Sequence, residues 1–216
     1  MHDLIAAFRP AADGALFMYC IALVGAFALA IAVERTYYIL VRSNINARRF
    51  MDDIKKKIKA GEVKKALALC EAAPSKALPR VVGAGLKRVA ENEVVDFRTI
   101  QNSVDEGTLE IIPRLHERTN FLAMLANVST LLGLMGTIWG LILAFQSVSA
   151  AGIDAAEKAR MLAAGISAAM NTTLFGLAVA IPTILLYTFL HNKTAKIIDE
   201  IDEHTVKLIN LLTGNR

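Results

Sequence analysis

Three long uncharged stretches interrupt an otherwise strongly charged chain. They cover residues 14–33, 119–153 and 161–192, and none of them contains Asp, Glu, Lys or Arg. Each is long enough for the ~20 residues that a helix needs to cross the hydrocarbon core of a bilayer. A backbone in lipid must satisfy its own hydrogen bonds, so the stretches are predicted to be membrane-spanning helices. The predicted fold class is an all-α membrane protein with three transmembrane helices.

Apolar periodicity beyond these stretches predicts that two of the helices extend out of the membrane. The residues before the second stretch keep helical spacing, which predicts one long helix that enters the membrane near Thr119, with Pro113 as a candidate kink. The residues after the third stretch do the same, and Gly214 suits the end of that helix. The predicted segments are an outer amphipathic segment 1–14, transmembrane helices 15–40, 119–148 and 161–191, a helical loop 41–118, a short connection 149–160 and a C-terminal helix 192–216.

The net charge of +4 hides an uneven distribution that predicts the topology. Between Val41 and Thr119 there are 16 Lys and Arg, and four follow the third span, whereas one precedes the first span and two lie in the short connection. The positive-inside rule therefore places the long loop and the C-terminus in the cytoplasm and the N-terminus outside. The N-terminal flank has one arginine and two aspartates, so a cleaved signal peptide is not expected. The 16 positive charges are interleaved with 11 acids, which argues against a nucleic-acid site.

The long loop is predicted to hold several short helices. Breaks are predicted at Gly61, Pro74 and Pro79, and the segment "EVKKALALCE" has the pattern of a small amphipathic helix. Cys70 lies in this loop and Cys20 in the first span, so no disulfide is expected between them.

Small and hydroxyl-bearing residues form a stripe on each of the last two spans. In both stripes, a spacing of three or four residues places the members on one helix face. On the second span the stripe is Ala126, Thr130, Gly133, Thr137, Gly140, Ala144 and Ser147. On the third span it is Gly165, Ala169, Thr173, Gly176, Ala180 and Thr183, flanked by Asn171 and Thr172.

Spacing alone leaves two interpretations of the stripes open. Small residues let membrane helices approach closely, and Gly136 forms a GxxxG pair with Gly140. Gly136 lies off the stripe, which suits packing between subunits. A membrane threonine also commonly bonds to a carbonyl of its own helix. In the other interpretation, the two stripes with their central threonines line a space that passes protons or receives a partner helix.

Other positions near the membrane also have two interpretations each. Pro182 is either a tolerated kink or a bend that shapes the mouth of a pore. Glu34 and Arg35, at the cytoplasmic end of the first span, either snorkel to the headgroups or pair with each other or with a neighbouring subunit. His191 is interpreted as an interfacial residue rather than a proton shuttle.

The spans offer no ionisable group at mid-depth. A proton relay through a membrane normally needs a group with a tunable pKa, and a threonine hydroxyl does not hold a proton at physiological pH. A proton path would therefore need a carboxylate from another chain. The sequence contains no nucleotide-binding loop, metal-ligand cluster or nucleophile–base pair, so no catalytic residue, metal or cofactor is predicted.

Three segments of the chain match a known pattern. They are "LLGLMGTIWGLILAF" at 131–145, "GISAAMNTTLFGLAVAIPTILLY" at 165–187 and "AVERTYYIL" at 32–40. They resemble the second span, the third span and the end of the first span of the MotA/TolQ/ExbB proton channel family. The resemblance covers nearly the whole chain. Three spans and an outer N-terminus favour the TolQ/ExbB branch over the MotA branch, whose members have four spans.

This resemblance implies a multi-pass stator subunit of the bacterial inner membrane, which is not an enzyme. In the family, five such subunits form a homo-oligomeric ring around two copies of a single-span partner of the ExbD, TolR or MotB type. The partner helix carries an essential aspartate, and proton flow moves the partner for transport, envelope or motility work. The alternatives are a membrane scaffold without ion conduction, a channel that conducts alone, and sodium as the ion.

The resemblance also assigns residues to the predicted proton path. The family's pathway threonines correspond to Thr137 and Thr173, with Thr130, Thr172 and Asn171 near them. Many ExbB and TolQ members have Glu where this chain has Ala168, so no role for a glutamate is carried over.

Overall fold

The computed structural model describes residues 15–91, 97–149, 152 and 154–214, and this part of the chain is helical without any strand. The helices are α1 (Ala15–Thr36) with a π-helical continuation (Tyr37–Ser43), α2 (Ala47–Lys59), α3 (Val63–Glu71), α4 (Ala77–Glu91), α5 (Phe97–His116), α6 (Thr119–Val148) and α7 (Ala155–Leu212). The predicted outer segment 1–14 lies outside the described residues. The all-α prediction is confirmed for the residues that are described.

Three helical stretches are long and apolar enough to cross a membrane. They lie within Ala15–Lys59, Phe97–Val148 and Ala155–Leu212, with mean hydropathies of 2.6, 1.9 and 2.0 in their most apolar windows. At most 28% of each of these windows is buried. A soluble monomer rarely exposes so much contiguous apolar surface, so the three predicted spans need lipid or a partner around them.

The chain divides into two compact units. Met1–Val33 with Arg118–Thr188 holds most of the apolar parts of α1, α6 and α7, and we name it the apolar unit. Glu34–Glu117 with Phe189–Arg216 holds α2 to α5 and the last part of α7, and we name it the charged unit.

The charged unit has a small core of its own. Helix α2 is amphipathic and buries Phe50, Met51 and Ile54 on one face, each burial contributing roughly 1.5–3 kcal/mol. The Asn46 side chain caps this helix by accepting a hydrogen bond from the backbone N–H of Arg49 at 3.2 Å. The same unit buries Val81, Val82, Leu86, Ile100, Leu115, Ile201 and Leu208.

Two of the three predicted breaks in the loop lie between helices. Gly61, with φ of 75°, follows α2, and Pro74 precedes α4. The break predicted at Pro79 was wrong, because this proline is the third residue of α4. The first N–H groups of a helix have no intrahelical acceptor, so a proline there costs no hydrogen bond. The predicted amphipathic helix is α3, which buries Ala66 and Cys70.

The long helical stretch predicted before and through the second span is present over Phe97–Val148, but its interruption is not at the candidate kink Pro113. Helix α5 ends at His116 and α6 begins at Thr119, while Pro113 lies inside α5. Between them Arg118 adopts a left-handed conformation with φ of 59°, which is uncommon for a residue other than glycine. The regular helix is therefore interrupted at Arg118 rather than at the proline.

Helix α7, in contrast, continues well past the third apolar stretch, as predicted. It has 58 residues and passes through Pro182 without interruption. Gly214, with φ of 71°, follows its end. Regular α-helix in the first span ends at Thr36, and the chain reaches the predicted boundary at residue 40 within the π-helical continuation.

Candidate functional site

Five glycines lie where α6 and α7 contact each other within one chain. A methyl group added at Gly136 would lie 2.6 Å from the Thr172 hydroxyl oxygen, and one added at Gly176 would lie 2.7 Å from the Ser129 carbonyl oxygen. Both distances are shorter than side-chain carbons tolerate, so any larger residue would push the helices apart. The five close-contact glycines are Gly133, Gly136, Gly140, Gly165 and Gly176.

Hydroxyl groups cross this contact and donate to glycine carbonyls. The Thr173 hydroxyl of α7 donates to the carbonyl oxygen of Gly133 at 3.0 Å. The Ser129 hydroxyl of α6 donates in the opposite direction to the carbonyl oxygen of Gly176 at 3.2 Å. Glycine lets the facing helix come close enough for these bonds, because it has no side chain at the contact. Each such interhelical bond stabilises a membrane helix pair by about 0.6 kcal/mol.

The structure corrects the position of Gly136. The buried residues of α6 along the contact are Ala126, Ser129, Gly133, Gly136, Gly140 and Ala144. Gly136 therefore lies on the contact face rather than beside it, and its nearest neighbour within the chain is Thr172. Thr172 is 2% exposed, and its hydroxyl donates to the carbonyl of Ala169 at 2.7 Å.

Ser129 was not among the predicted site residues, although it is fully buried and bonds across the contact. The sequence did contain a signal for it. Ser129 precedes Gly133 by four residues, and Gly136 follows by three, so they form a second stripe as regular as the predicted one.

Thr130 and Thr137 lie at the edge of the contact instead of inside it. Thr130 is exposed and Thr137 is half-buried. Each hydroxyl donates within α6, that of Thr130 to Ala126 at 3.1 Å and that of Thr137 to Leu134 at 2.6 Å. A hydroxyl oxygen that donates its proton keeps lone pairs that can accept from an external donor, such as a water molecule or a protonated acid.

Thr173 occupies the corresponding edge on α7, where it is half-buried. Asn171 is also half-buried, but it lies about 200° around the helix from Thr173, on the other side of Thr172. In an α-helix the carbonyl that accepts from Thr173, that of Gly133, also accepts from the backbone N–H four residues later, at Thr137. One carbonyl thus joins the two predicted pathway threonines. Two other stripe residues on α7 are buried in the contact, namely Ala169 (beside Gly140) and Gly176 (beside Ser129), and Ala180 is also buried.

This edge supplies hydroxyls and carbonyls but no charge, because residues 119–153 and 161–192 contain no Asp, Glu, Lys or Arg. Hydroxyls both donate and accept hydrogen bonds, so they can orient water or a carboxylic acid. They do not hold a proton at physiological pH, so a proton relay along this edge would need a titratable group from elsewhere.

Arg35 is not at the surface, contrary to the headgroup interpretation. It is 2% exposed, and its guanidinium donates from Nη2 to the carbonyl oxygen of Arg114 at 3.1 Å. The guanidinium carbon also lies 5.0 Å from the centre of the Tyr38 ring. Arg114 is in the last turn of α5, where carbonyls lack intrahelical partners, so Arg35 caps that helix. Glu34 beside it is exposed.

Pro182 lines an apolar groove between α1 and α7 in the apolar unit. The groove has a volume of about 400 Å³, and its other walls include Gly25 and Val179. The closest point is at Gly25, where an added methyl group would lie 3.2 Å from a Val179 methyl carbon. A role for Pro182 at a pore mouth stays a prediction.

The sequence singled out three further side chains, His191, Cys70 and Cys20. His191 is half-buried, and its ring centre lies 6.0 Å from that of His116. Cys70 and Cys20 are both free thiols. Burial raises the pKa of the Cys70 thiol to about 12, with a smaller contribution from the charge of Glu71. Cys70 is therefore an uncharged core residue at neutral pH.

The sequence pattern of a known protein family matches residues 74–203, which is more than half of the chain. The chain belongs to the MotA/TolQ/ExbB proton channel family. The matched region contains all of α6 and most of α7, so the contact between these helices lies in the part that defines membership of the MotA/TolQ/ExbB family.

Relatives of the chain in this family carry the names ExbB and TolQ. A Methanothermobacter thermautotrophicus protein named as a putative ExbB homologue is 25% identical over 205 residues, which cover 94% of this chain and 67% of the relative. The Tol-Pal system protein TolQ of Haemophilus influenzae is 38% identical over 101 residues, covering 45% and 43%. The biopolymer transport protein ExbB of Aquifex aeolicus is 32% identical over 94 residues, covering 44% and 60%. The matched segments therefore make up less than two thirds of the TolQ and the Aquifex ExbB relatives. Because the relatives carry the names ExbB and TolQ, the predicted TolQ/ExbB branch is confirmed.

A solved structure of C. jejuni MotAB contains a chain with the same fold. The TM-score is 0.69, and the match covers 98% of this chain and 81% of that chain at 14% sequence identity. Similarity at this level of identity concerns the fold alone. It agrees with an all-helical membrane protein that has three long apolar helices.

Proposed function

We propose that the chain is the ring-forming subunit of a stator that couples proton flow to movement of a partner protein. Membership of the MotA/TolQ/ExbB family supports ion conduction, and the names of its relatives support work on transport or on the envelope. In this proposal five copies surround two copies of a single-span partner of the ExbD, TolR or MotB type. The N-terminus faces outward and the C-terminus is cytoplasmic.

The observation that carries the proposal is the hydrogen bond from Thr173 to the Gly133 carbonyl beside a stretch that lacks any acid. The bond holds a half-buried hydroxyl at the edge of a tight helix contact. A carboxylic acid on a partner helix can donate to such a hydroxyl when protonated and accept from it, or from water, when ionised. The chain thus supplies the polar wall and the partner supplies the titrating group.

Close packing between α6 and α7 contributes rigidity to this wall. An added methyl group at Gly133, Gly136 or Gly176 would meet atoms of the same chain, so the two helices have no space to slide on each other. A rigid wall suits a mechanism in which the partner helices move and the ring stays fixed. The pathway side in this proposal consists of Thr137, Thr173 and Thr130 at the edge, while the glycines hold the helices together.

A second candidate function is a membrane scaffold that conducts no ion. It is favoured by the same glycine contacts, since packing within one chain explains the small residues without any pore. The two functions differ in one requirement. A conducting stator needs a partner with an acid in its membrane span, whereas a scaffold does not.

Purification of the complex from its native cells tests the proposal. We expect a single-span protein to co-purify whose membrane helix contains an aspartate. Recovery of the ring with no single-span protein, or with one that has no acid in its span, would contradict the proposal and favour the scaffold. Flux measured with a sodium gradient and with a proton gradient then identifies the ion.

A further inference from the structure

An imidazole lies in the middle of the buried face of the last part of α7. The buried residues of this part recur at spacings of one to four positions, which places them on one side of the helix. They are Ile197, Ile201, His204, Thr205 and Leu208. Among these five residues, only His204 can gain a charge near neutral pH, and it is 7% exposed.

The Nδ1 atom of His204 is sealed from solvent and has no hydrogen-bond partner. A neutral imidazole has an N–H group on one ring nitrogen and a lone pair on the other. A buried N–H group without an acceptor is unfavourable, so the neutral ring fits best with its lone pair at Nδ1 and its proton at Nε2. An imidazolium has an N–H group on both nitrogens. Protonation therefore puts a donor at a point that offers no acceptor.

The charges near the ring come from both α7 and α2. Burial lowers the pKa of His204, and the charges of Lys207 and Lys55 lower it further. Glu203 and Glu200 act in the opposite direction, but Lys207 already binds the carboxylate of Glu203. Because Lys55 belongs to α2, this helix lies close to the ring. The two lysines and the burial together keep the ring uncharged at neutral pH.

A polar cavity of about 650 Å³ adjoins His204 within the charged unit. Its walls are the turn from Asn44 to Arg48, which leads into α2, and α7 from Lys193 to His204. Arg48 is the charged residue on the α2 side, and its charge acts on Glu203. A polar cavity of this size can hold water. Water is thus available to solvate an imidazolium once α2 and α7 separate at this point.

We propose that His204 is a proton-sensitive latch, which holds the last part of α7 against α2 while its ring is neutral and releases it when the surrounding solution acidifies. The closed contact accommodates only the uncharged ring, whereas the open contact lets water solvate the imidazolium. The open form therefore binds the proton more tightly. The stability that the latch gives is complete above the ordinary histidine pKa of 6.5 and is lost as pH falls below it, down to the lower pKa of the closed form.

Hydrogen exchange measured by mass spectrometry tests this latch in the whole complex, purified with its partner. Labelling is compared at pH 7.5 and pH 5.5, with times adjusted for the intrinsic pH dependence of amide exchange. We expect the backbone amides of α2 and of residues 197–212 to exchange several-fold faster at pH 5.5 after this adjustment. The limit is about tenfold, because opening is linked to the uptake of one proton.

Two variants of His204 separate its titration from its packing. His204→Phe keeps an aromatic ring in the core but cannot be protonated, so exchange of these segments should become independent of pH. His204→Gln should weaken the contact by the same factor at both pH values, which keeps the test valid if the phenylalanine fits poorly.

The matched control is His116→Phe, which removes another histidine of the charged unit. The His116 ring centre lies 6.0 Å from that of His191, and His191 precedes His204 by about 20 Å along α7. This variant should keep the full pH dependence.

The latch is overturned if the adjusted exchange of α2 and of residues 197–212 is equal at the two pH values. It is also overturned if a folded variant of His204 keeps the pH dependence, or if His116→Phe removes it. The measurement requires no ion flux, and the latch does not rest on the proposed function. A failure of the latch is therefore distinct from a failure of that function.

Discussion

The hydroxyl of Thr173 donates to the carbonyl oxygen of Gly133 at 3.0 Å and joins the third spanning helix to the second. The bond is possible because Gly133 has no side chain, so that an added methyl group there would lie 3.2 Å from the Thr173 Cα atom. The hydroxyl lies at the edge of the contact, where it is half-buried rather than sealed. Packing and the proposed ion path therefore meet at this residue.

Replacement of Thr173 by valine should lower proton flux by at least about tenfold, because it removes a preorganised hydroxyl but keeps the shape of the side chain. The ring should still assemble, since only one weak interhelical bond is lost. The measurement is pH-gradient decay in liposomes that contain the complex. Thr188→Val is the matched control, as Thr188 is exposed on the same helix and bonds to a carbonyl of that helix. Normal flux in the Thr173 variant would remove this residue from the path.

Thr137→Val should lower flux in the same assay by a smaller factor. Its hydroxyl bonds to Leu134 of its own helix at 2.6 Å and does not fix the contact with α7. A larger loss of flux at Thr137 than at Thr173 would contradict this order and make Thr137 the more important pathway residue.

Gly176→Ala should destabilise the protein by about 1–3 kcal/mol, because the new methyl group meets backbone atoms that cannot move away. The nearest are the Ser129 carbonyl oxygen at 2.7 Å and the Gly133 Cα atom at 3.1 Å. Gly25→Ala is the control, since its methyl group meets only the side chain of Val179. Thermal unfolding in detergent measures both variants. Equal melting temperatures would show that α6 and α7 can separate enough to accept a methyl group.

Arg35→Met should lower the free energy of unfolding by about 1–3 kcal/mol, because it leaves the carbonyl of Arg114 without its donor. Arg42→Met is the matched control. Arg42 is exposed and lies farther from the Tyr38 ring, at 5.9 Å, so it loses the same charge without a buried contact. Chemical denaturation of the two variants provides the comparison, and equal stability would mean that Arg35 does not cap α5.

Cys70 should react with a maleimide on the order of a thousandfold more slowly than a free cysteine at pH 8, because its pKa of about 12 leaves little thiolate. Ala68→Cys in a Cys70→Ser background is the control, since residue 68 is exposed on the same helix. The folded state holds the thiol proton more tightly than the unfolded chain does. The stabilisation by this group is therefore complete below the unfolded pKa and is lost as pH rises towards 12. Rapid labelling at pH 8 would show that α3 opens or that Cys70 is not buried.

The three apolar helices were predictable because the hydrocarbon core imposes both their length and their lack of charge. The face of α6 that packs against α7 could not be predicted in the same way. Thr137 and Gly136 are adjacent, and each forms a regular stripe with Gly133 and Gly140. Only the position of α7, which brings Thr172 against Gly136, decides between the two stripes.

Two further features could not be derived from local pattern. Arg118 takes a left-handed conformation, and neither neighbouring residue is a glycine or a proline that would have indicated a break in the helix there. Arg35 follows an apolar span, where arginine usually reaches the headgroups, yet the end of α5 lies close enough to accept its hydrogen bond. The contact of Arg35 in particular joins segments that are far apart in sequence.

Proton flux into liposomes tests most directly whether this chain forms one wall of an ion path. The ring is reconstituted with its co-purified partner, alone, and with a partner whose membrane aspartate is replaced by asparagine. We expect flux from the intact complex and none from the other two preparations. An intact complex without flux, or a ring that conducts equally well alone, would contradict the claim that the path is completed by an acid from the partner.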